Sequence, residues 1–408
     1  MYDIIVIGAG AAGLLAAGTA ARAGKRVAMI EKNQRPARKV MITGKGRCNV
    51  TNACSQSEFL DAVVTNSRFL YSAIHQFSSY DTMSLFEDVL GVPLKTERGN
   101  RVFPVSDKAV DIVDALVQYA RSAELITGVA CKSLLLDDDQ IQGVVLDNGE
   151  QLYASSIIVA TGGVSYPGTG STGDGYRLAT QVGHHIVPVG PSLVPLVCNT
   201  TVCRDLMGLS LKNVTLSVFE SSNNHCLFCE LGEMLFTHFG VSGPLVLSAS
   251  AHLRPMEVNR YYMSIDLKPG LNEQQLDARI LRDFEDNIHR TFRNSLGKLL
   301  PAKIIPVIVK RCGISPDCKV NQITKEQRHR LVGVIKDFQL PINGFRPVDE
   351  AVVTYGGVDV KEINPKTMES KLVHGLFFAG EVLDLDAYTG GYNLQIAFST
   401  GYLAGLNA

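Results

Sequence analysis

Three glycines near the start of the chain have the spacing that binds a nucleotide phosphate. Gly8, Gly10 and Gly13 form a G-x-G-x-x-G pattern between an apolar run (4–7) and a helix of small residues. Gly8 permits a tight turn, Gly10 lets a pyrophosphate approach the backbone, and Gly13 lets the helix pack on the strand. The helix N-terminus offers free N–H groups and a partial positive charge to phosphates. A second apolar run ends in Glu31, which can accept hydrogen bonds from ribose hydroxyls, so the stretch predicts a dinucleotide site rather than an ordinary glycine-rich turn.

A basic, glycine-rich loop follows this acid. It contains Lys32 and Lys39 and then the run TGKGRCNVTN over residues 43–52. One interpretation is a solvated surface loop. The other is a loop pressed on the cofactor, because the polar backbone groups of such a loop need partners and its cations suit phosphates or the pyrimidine edge of a flavin.

A second G-x-G-x-x-G match, at 168–173, is not interpreted as another nucleotide fold. It follows a Ser-Tyr-Pro turn instead of a strand, and no strand ending in an acid follows about twenty residues later. We expect these glycines to bring a loop and the next helix close to a flat cofactor.

The composition is that of an ordinary globular protein. The chain has 408 residues, 46% of them hydrophobic and 19% charged, with a net charge of −1, which gives no global attraction to nucleic acid or membrane. No signal peptide and no apolar run long enough for a membrane span are recognisable. Nine cysteines at irregular spacing favour a reducing cytoplasm. The single C-x-x-C, Cys226 with Cys229, lacks a second pair for zinc, so no metal site is predicted.

The order of elements predicts an α/β fold with a Rossmann-like domain formed by both chain ends. A buried strand ending at Gly380-Glu381 and a helix after Gly390-Gly391 return to the first fold near the C-terminus. Between the two ends, short alternating runs predict an antiparallel barrel and a helical subdomain. The predicted segments are residues 1–190 and 341–408 for the dinucleotide domain, 191–270 for the β-barrel and 271–340 for the helical subdomain.

The charge in the helical segment is uneven. Residues 287–340 carry eleven Lys/Arg against three Asp/Glu, a formal charge of +8. A solvated helical face is one interpretation, and a docking site for a polyanion is the other.

Together these motifs resemble the BaiN/YhiN-like flavoproteins, which have two dinucleotide-binding domains. The resemblance covers nearly the whole chain, and besides the first glycine motif and the 43–52 loop it rests on 160–163 (ATGG), 169–175 (TGSTGDG), 236–240 (FTHFG) and Gly380-Glu381. It implies an FAD domain formed by both chain ends with a β-barrel and a helical subdomain inserted between them.

The resemblance also assigns residues to the cofactor. The ADP half would lie on the first glycine motif, Glu31, Val129 and Thr161-Gly162, the pyrophosphate and ribityl chain on Gly380-Glu381, and the isoalloxazine between residues 393–395 and the 39–48 loop. The full cofactor set is Gly8, Gly10, Ala11, Ala12, Gly13, Glu31, Lys32, Lys39, Thr43, Gly44, Gly46, Arg47, Val129, Thr161, Gly162, Gly380, Glu381, Asn393, Leu394 and Gln395.

The activity that the resemblance implies is reduction of a C=C bond conjugated to a carbonyl, in a 3-oxo steroid or bile-acid enone or in a uridine of ribosomal RNA. Hydride comes from reduced flavin, NAD(P)H is the transient electron source, and a proton donor serves the α-carbon. Candidate donors are Cys48, Tyr166 and His238. Their alternatives are packing for Cys48, stacking or structural hydrogen bonding for Tyr166, and a satisfied turn histidine for His238.

Two other classes of function stay open. One is an FAD-dependent dehydrogenase or oxidase of a small molecule, which works in the opposite direction. The other is a non-catalytic flavin-dependent binding or sensing protein. No Ser-His-Asp arrangement is recognisable in the sequence, and no membrane or protein partner is predicted.

Overall fold

A computed structural model of the protein describes residues 1 to 408. The chain forms two compact units, which we describe separately: residues 1–192 with 347–408, and residues 193–346. The first unit therefore contains both chain ends. The finer division of the second unit into a barrel and a helical subdomain stays a prediction.

The elements follow one another along the chain. The first part of the first unit contains β1 Tyr2–Ile7, α1 Ala11–Arg22, β2 Val27–Glu31, α2 Arg38–Ile42, β3 Thr51–Asn52, α3 Gln56–Asp61, α4 Tyr71–Gln76, α5 Ser79–Ser84, β4 Leu94–Glu97, β5 Arg101–Pro104, α6 Ala109–Tyr119, β6 Glu124–Thr127, β7 Cys131–Asp137, β8 Gln140–Leu146, β9 Gln151–Val159, α7 Asp174–Gln181 and β10 Ile186–Ser192. The second unit contains β11 Leu196–Val197, α8 Thr201–Asp205, β12 Ser210–Glu220, β13 Cys226–Phe236, β14 Gly240–Ser242, α9 Pro244–Ser250, β15 Tyr261–Asp266, α10 Glu273–Glu285, α11 Phe292–Ser295, α12 Ile305–Cys312, α13 Lys325–Lys336, β16 Phe338–Ile342 and β17 Gly344–Phe345. The first unit closes with β18 Val353–Val358, β19 Leu376–Phe378 and α14 Tyr392–Asn407.

The main sheet of the first unit is built around β1. The strand order is β6-β2-β1-β9-β8-β7, and β19 also pairs with β9. The pairs among β6, β2, β1, β9 and β19 are parallel, whereas β7 and β8 extend the sheet with antiparallel pairs. Residues 4–7 are at most 4% exposed, which explains why β1 is a continuous apolar run: a central parallel strand is covered on both faces. The predicted α/β class with a Rossmann-type domain is confirmed.

The second unit contains a mixed set of antiparallel strands and helices. Its sheet has the order β16-β15-β12-β13-β14-β11-β17. The two outermost strands, β16 and β17, are separated along the chain only by Asn343, so the stretch 338–345 borders both edges of the sheet. Helices α10 to α13 bury Leu276, Ile308 and Leu331 completely. None of the helices of the protein combines the length and the apolar character needed to cross a membrane.

Candidate active site

The carboxyl ends of four parallel strands meet at one edge of the main sheet. Ile7 of β1 pairs with Ile30 of β2 and with Val159 of β9, and Val159 also pairs with Phe378 of β19. The residues that follow these strands are therefore brought together although they are far apart in sequence. Among them are the predicted cofactor residues Gly8, Thr161 and Gly380, and Glu31, the last residue of β2, lies at the same edge. This edge is where open α/β sheets bind their ligands.

The turn after β1 has the geometry that its three glycines predict. A Cβ on Gly8 (φ +98°) would lie 2.6 Å from the Ala160 carbonyl oxygen, and a Cβ on Gly13 would lie 1.8 Å from the Gly8 carbonyl oxygen. Both positions exclude a side chain because backbone occupies the space. A Cβ on Gly10, in contrast, would meet nothing within 4 Å. Gly10 thus leaves open space in front of the N-terminus of α1, where an anion can approach the backbone.

Glu31 faces this turn from the end of β2. Its Oε2 accepts a hydrogen bond from the Ala9 N–H at 3.0 Å, and its Oε1 accepts from the backbone and the side chain of Asn33 at 2.9 and 2.7 Å. Glu31 is 8% exposed, and its carboxylate links β2 to the glycine turn. Oε2 keeps a second lone pair that can accept a ribose hydroxyl, whereas Oε1 already accepts two hydrogen bonds from Asn33. Val129, predicted at the adenine, follows the neighbouring strand β6 and is partly buried.

A second helix begins beside α1 and runs in the same direction. A Cβ on Gly401 of α14 would lie 2.4 Å from the Ala12 carbonyl oxygen, and one on Gly405 would lie 2.3 Å from the Ala16 carbonyl oxygen. Both residue numbers rise together, so the two helices are parallel and in close backbone contact. Relative to these contacts α14 begins about eight residues earlier than α1, so its N-terminus lies about 12 Å before that of α1, measured along the direction in which both helices run. Two partial positive charges of helix termini are therefore offset along one side of the first unit.

The polar side chains at the start of α14 are held by the protein itself. Asn393 binds the backbone of Ala387 through both its oxygen and its nitrogen, at 3.0 and 2.8 Å. Gln395 is fully buried, accepts from Thr51 Oγ1 at 2.6 Å and donates to the Phe77 carbonyl at 3.2 Å. Asn393 and Gln395 are predicted at the edge of the isoalloxazine, and their side chains are already engaged within the protein. The backbone N–H groups of the first turn of α14 remain available to a ligand. The partly buried Leu394 belongs to this turn.

An ion pair connects α2, which follows β2, with the strand end at Gly380. Lys39 Nζ lies 2.7 Å from Glu381 Oε2 and 2.6 Å from Ser165 Oγ. Glu381 Oε1 accepts from Ser165 Oγ at 3.0 Å and from the Thr354 N–H at 2.9 Å. The two charged side chains are about one-fifth exposed, at 22% and 19%. Sequence reasoning identified Lys39 and Glu381 but missed Ser165 and Thr354, which carry no motif of their own.

The rest of the basic loop is tied to other carboxylates. Thr43, Gly44 and Gly46 belong to a 3₁₀ segment over Thr43–Gly46. Arg47 pairs with Glu97 and Asp107 and lies 4.1 Å over the Phe103 ring. The hydrogen bond from Arg47 holds the pKa of Glu97 below its usual value. The predicted place of Arg47 beside the isoalloxazine is therefore disfavoured, because its guanidinium is already engaged.

Lys32, the residue after β2, is also engaged with partners inside the protein. Its Nζ lies 2.5 Å from Asp174 Oδ2 and also bonds Thr172 Oγ1. Thr172 belongs to the second glycine stretch and Asp174 begins α7, so Lys32 fixes that loop and the start of the next helix against the end of β2. This arrangement agrees with the interpretation of that stretch as a loop and not as a second nucleotide fold.

The three candidate proton donors differ in accessibility. Cys48 is fully buried, and burial raises its pKa to about 12, which argues against it as a donor. Tyr166 has a left-handed backbone (φ +51°), is partly exposed, and its hydroxyl has no hydrogen-bond partner in the protein. His238, which belongs to the second unit, is exposed in the turn between β13 and β14, and its ring touches Phe239 edge-on at 5.0 Å. Tyr166 and His238 are thus the candidates that a substrate can reach.

A Ser-His-Glu arrangement that the sequence did not indicate lies in the first unit. His184 Nδ1 is 2.8 Å from Glu362 Oε2, and His184 Nε2 is 2.8 Å from Ser370 Oγ. The serine is 5% exposed, and its oxygen already accepts the N–H groups of Leu372 and Val373 at 3.0 Å. A buried hydroxyl with occupied lone pairs is no nucleophile, so this trio is structural.

The fold and the site geometry together define the class. FAD fits this site, which combines the carboxyl edge of a parallel sheet with a glycine turn, an acid at the end of β2 and two offset helix N-termini. The open space at Gly10 accommodates a pyrophosphate. The N-terminus of the second helix suits a ring that gains negative charge on reduction. The protein is a flavin-dependent oxidoreductase. The chain belongs to the HI0933-like family, since the family model described as the HI0933-like protein Rossmann domain matches residues 2–407.

Similar proteins cover the chain from end to end. The ribosomal RNA dihydrouridine synthase of Escherichia coli K12 is 32% identical over 98% of this chain and 96% of its own length. The 3-dehydro-bile acid delta(4,6)-reductase of Clostridium scindens is 31% identical over 99% of this chain and 98% of its own. Among solved structures, the 3-ketosteroid-Δ4-(5α)-dehydrogenase of Rhodococcus jostii RHA1 has the same fold, with a TM-score of 0.53 at 15% identity over 100% of this chain and 96% of that one.

Proposed function

We propose that this protein reduces a uridine of ribosomal RNA to dihydrouridine, with FAD as its cofactor and NAD(P)H as the electron source. The observation that carries the proposal is the end-to-end similarity to a ribosomal RNA dihydrouridine synthase, at 32% identity over 98% of the chain. Uracil contains a C=C bond conjugated to a carbonyl, which is the chemistry that a flavin oxidoreductase of this family can serve. The overall reaction adds one hydride equivalent from NAD(P)H and one proton across that bond, which leaves NAD(P)⁺.

In this proposal the edge of the main sheet holds FAD. The N–H groups of Ala11, Ala12 and Gly13 bind the pyrophosphate in the space that Gly10 leaves open, and Glu31 accepts a ribose hydroxyl at Oε2. Val129, Thr161 and Gly162 lie at the adenosine end, and Gly380 with Glu381 at the middle of the cofactor. The first turn of α14 meets the ring through its backbone. The bound cofactor supplies hydride transfer, which no side chain of the protein can perform.

The protein contributes binding and a proton. A donor must give its proton to the α-carbon of the substrate while N–H or O–H groups stabilise the enolate oxygen. Tyr166 and His238 are accessible and keep free polar atoms, whereas Cys48 is sealed in the core. Of the three sequence candidates we therefore assign the proton to Tyr166 or His238, and a structural role to Cys48.

A small enone is the second candidate substrate. It is favoured by the similarity to the bile-acid reductase, at 31% identity over 99% of the chain. Such a substrate is largely apolar, with at most one carboxylate, and needs no extended cationic surface, whereas a ribosomal RNA substrate does. The excess of positive charge over residues 287–340 therefore supports RNA.

The test is the content of dihydrouridine in ribosomal RNA from strains with and without the gene, mapped by mass spectrometry. Loss of one dihydrouridine on deletion and its return with the intact gene are expected. Gly10→Glu should fail to restore it, because the new carboxylate fills the space of the pyrophosphate; the backbone at Gly10 (φ −83°) accepts any residue. Gly270→Glu is the matched control, since its Cβ also meets nothing within 4 Å but lies in the second unit. An unchanged RNA in the deletion strain would refute the proposal and leave the small enone.

A further inference from the structure

We propose that four cations of the second unit form a docking surface for ribosomal RNA. They are Arg290, Arg293, Lys319 and Lys325, and we call them the basic surface. The inference rests on the proposed function for the identity of the RNA. It goes beyond that function by naming the part of the protein that binds the RNA backbone.

The basic surface stands on a fixed backbone. Two segments pair side by side: Thr291 and Lys319 form a β-bridge, the Phe292 N–H donates to the Cys318 carbonyl at 2.8 Å, and the Val320 N–H donates to the Arg290 carbonyl at 3.2 Å. Phe292 and Val320 anchor the pair from below, with exposures of 0% and 3%. Arg290, Arg293 and Lys319 therefore project from a rigid base, which lowers the entropy lost when they bind a phosphate. Lys325 follows shortly after this pair in the chain, as the first residue of α13.

Other cations of the same segment have structural partners instead. Arg328 forms two hydrogen bonds with Asp277, and Lys336 pairs with Asp266 and donates to the Leu271 carbonyl. Arg311 lies 3.8 Å over the Phe338 ring. The overall excess of charge thus contains two kinds of residue, and only one kind is available to a ligand.

The residues of the basic surface belong to the available kind. Arg290, Lys319 and Lys325 are exposed and have no carboxylate within 4.0 Å. Arg293 pairs with Asp317 at 2.9 Å, but both side chains are more than half exposed, at 57% and 68%. Such a solvated pair is weak and can be exchanged for a phosphate.

The surroundings favour a nucleic acid over a protein partner. Protein interfaces have an apolar centre, often aromatic. Among the large apolar side chains of residues 282–340, Ile288 alone is exposed. The whole chain has a net charge of −1, so the attraction for phosphates is local to this surface. We therefore expect the surface to bind the RNA backbone and to contribute affinity without reading sequence.

Binding of protein-free ribosomal RNA by the full-length, FAD-loaded protein tests the surface directly. The variant combines Arg290→Gln, Lys319→Gln and Lys325→Gln, and the matched control combines Lys25→Gln, Lys132→Gln and Lys366→Gln. The control lysines are exposed residues of the first unit without a carboxylate partner, so both variants lose three positive charges. Affinity is measured by filter binding at several salt concentrations.

The surface variant should bind about tenfold or more weakly at low salt, and its slope of log affinity against log salt should fall by roughly two to three. The control should match the wild type. Equal affinity and slope for wild type and surface variant would overturn the inference. So would competition by polyglutamate as effective as that by RNA, because it would point to an acidic protein as the partner.

The two proposals fail in different ways. If deletion of the gene removes a dihydrouridine and both triple variants restore it equally well at low expression, the surface is refuted while the RNA reductase stands. If deletion leaves the RNA unchanged but binding still depends on the basic surface, the reductase proposal is refuted and the surface stands. If the wild type shows no salt-sensitive binding of ribosomal RNA, the surface is refuted whatever the deletion shows.

Discussion

Gly401 of α14 rests directly on the backbone of Ala12 in α1, and a Cβ at Gly401 would lie 2.4 Å from the Ala12 carbonyl oxygen. Real Cβ atoms do not come this close, so the two helices could not keep their present distance with any other residue at this position. The contact lies within the first turn of α1 and sets the offset of about 12 Å between the two helix N-termini. It therefore links the stability of the first unit with the shape of the proposed FAD site.

Substitution of Gly401 by alanine should lower both the stability of the protein and its retention of FAD. We expect a loss of about 1–3 kcal/mol in the free energy of unfolding, because the added methyl group forces the helices apart against a packed core. The purified protein should also retain less FAD, measured from its flavin absorbance per polypeptide. Gly333→Ala in α13 is the control: its Cβ meets nothing within 4 Å, and we expect a gain of up to about 1 kcal/mol from helix propensity. A Gly401→Ala protein as stable and as rich in flavin as the wild type would contradict the close contact.

Glu31→Gln should lower the affinity for FAD. The neutral amide keeps the size of the side chain but replaces a charge-assisted acceptor, which typically contributes about 1.5–3 kcal/mol, so a loss of roughly tenfold or more in affinity is expected. Titration of the apoprotein with FAD, followed by the quenching of flavin fluorescence, measures it. Glu124→Gln, at the exposed start of β6, should bind FAD normally. Unchanged affinity in Glu31→Gln would remove this residue from the proposed FAD site.

The His184 trio predicts a loss of stability in acid. Burial lowers the pKa of His184 below its usual value of 6.5 and outweighs the hydrogen bond with Glu362, which acts in the opposite direction. As the pH drops below about 6.5, the imidazole gains a proton in the unfolded chain before it does so in the native protein. The free energy of unfolding therefore falls in this range. The contribution is fully present above that pH.

His184→Gln should flatten this part of the pH dependence while lowering stability at neutral pH. Urea denaturation at pH 5.5, 6.5 and 7.5 compares the variant with the wild type and with the exposed His289→Gln. A pH dependence in His184→Gln as steep as in the wild type would show that another group is responsible.

Cys48→Ala should leave the reduction of substrate nearly unchanged, because the thiol is sealed in the core. Tyr166→Phe and His238→Gln should differ from each other. Substitution of the residue that donates the proton should lower the rate of substrate reduction by roughly 10²- to 10⁴-fold. The rate of flavin reduction by NAD(P)H should stay constant in all three proteins, which separates proton donation from cofactor binding. A large loss with Cys48→Ala alone would reverse the assignment.

The sequence predicted the first unit well where its signals are local. The continuous apolar run at 4–7, the glycine spacing after it and the acid at position 31 each act within one strand–turn–helix segment. The backbone geometry of such a segment follows from neighbouring residues, so its structure could be inferred without the rest of the chain. The return of the C-terminal part was also predicted, because a buried strand followed by a glycine pair and an apolar helix completes the same kind of unit.

The site was harder to predict where side chains have distant partners. Asn393 and Gln395 are polar residues at the start of a helix, a typical pattern for ligand binding. Their side chains are instead hydrogen-bonded within the protein, that of Asn393 to the Ala387 backbone and that of Gln395 to Thr51. Arg47 is a cation in a glycine-rich loop, a typical pattern for phosphate or flavin binding, yet its guanidinium pairs with Glu97 and Asp107. No motif could reveal these partners, because the pairing depends on which loops the fold brings together.

The sequence by itself thus determined the dinucleotide turn, the α/β class and the positions of the strands that carry the site. Local spacing is sufficient for these features, since backbone hydrogen bonds and the alternation of burial act over a few residues. Only the tertiary structure decided which polar groups remain free for chemistry. His184 and Ser370 are separated by 186 residues, and only their shared burial turns them into hydrogen-bond partners. A polar side chain serves a ligand or the fold according to the neighbours that long-range packing provides, and the residue types alone do not specify those neighbours.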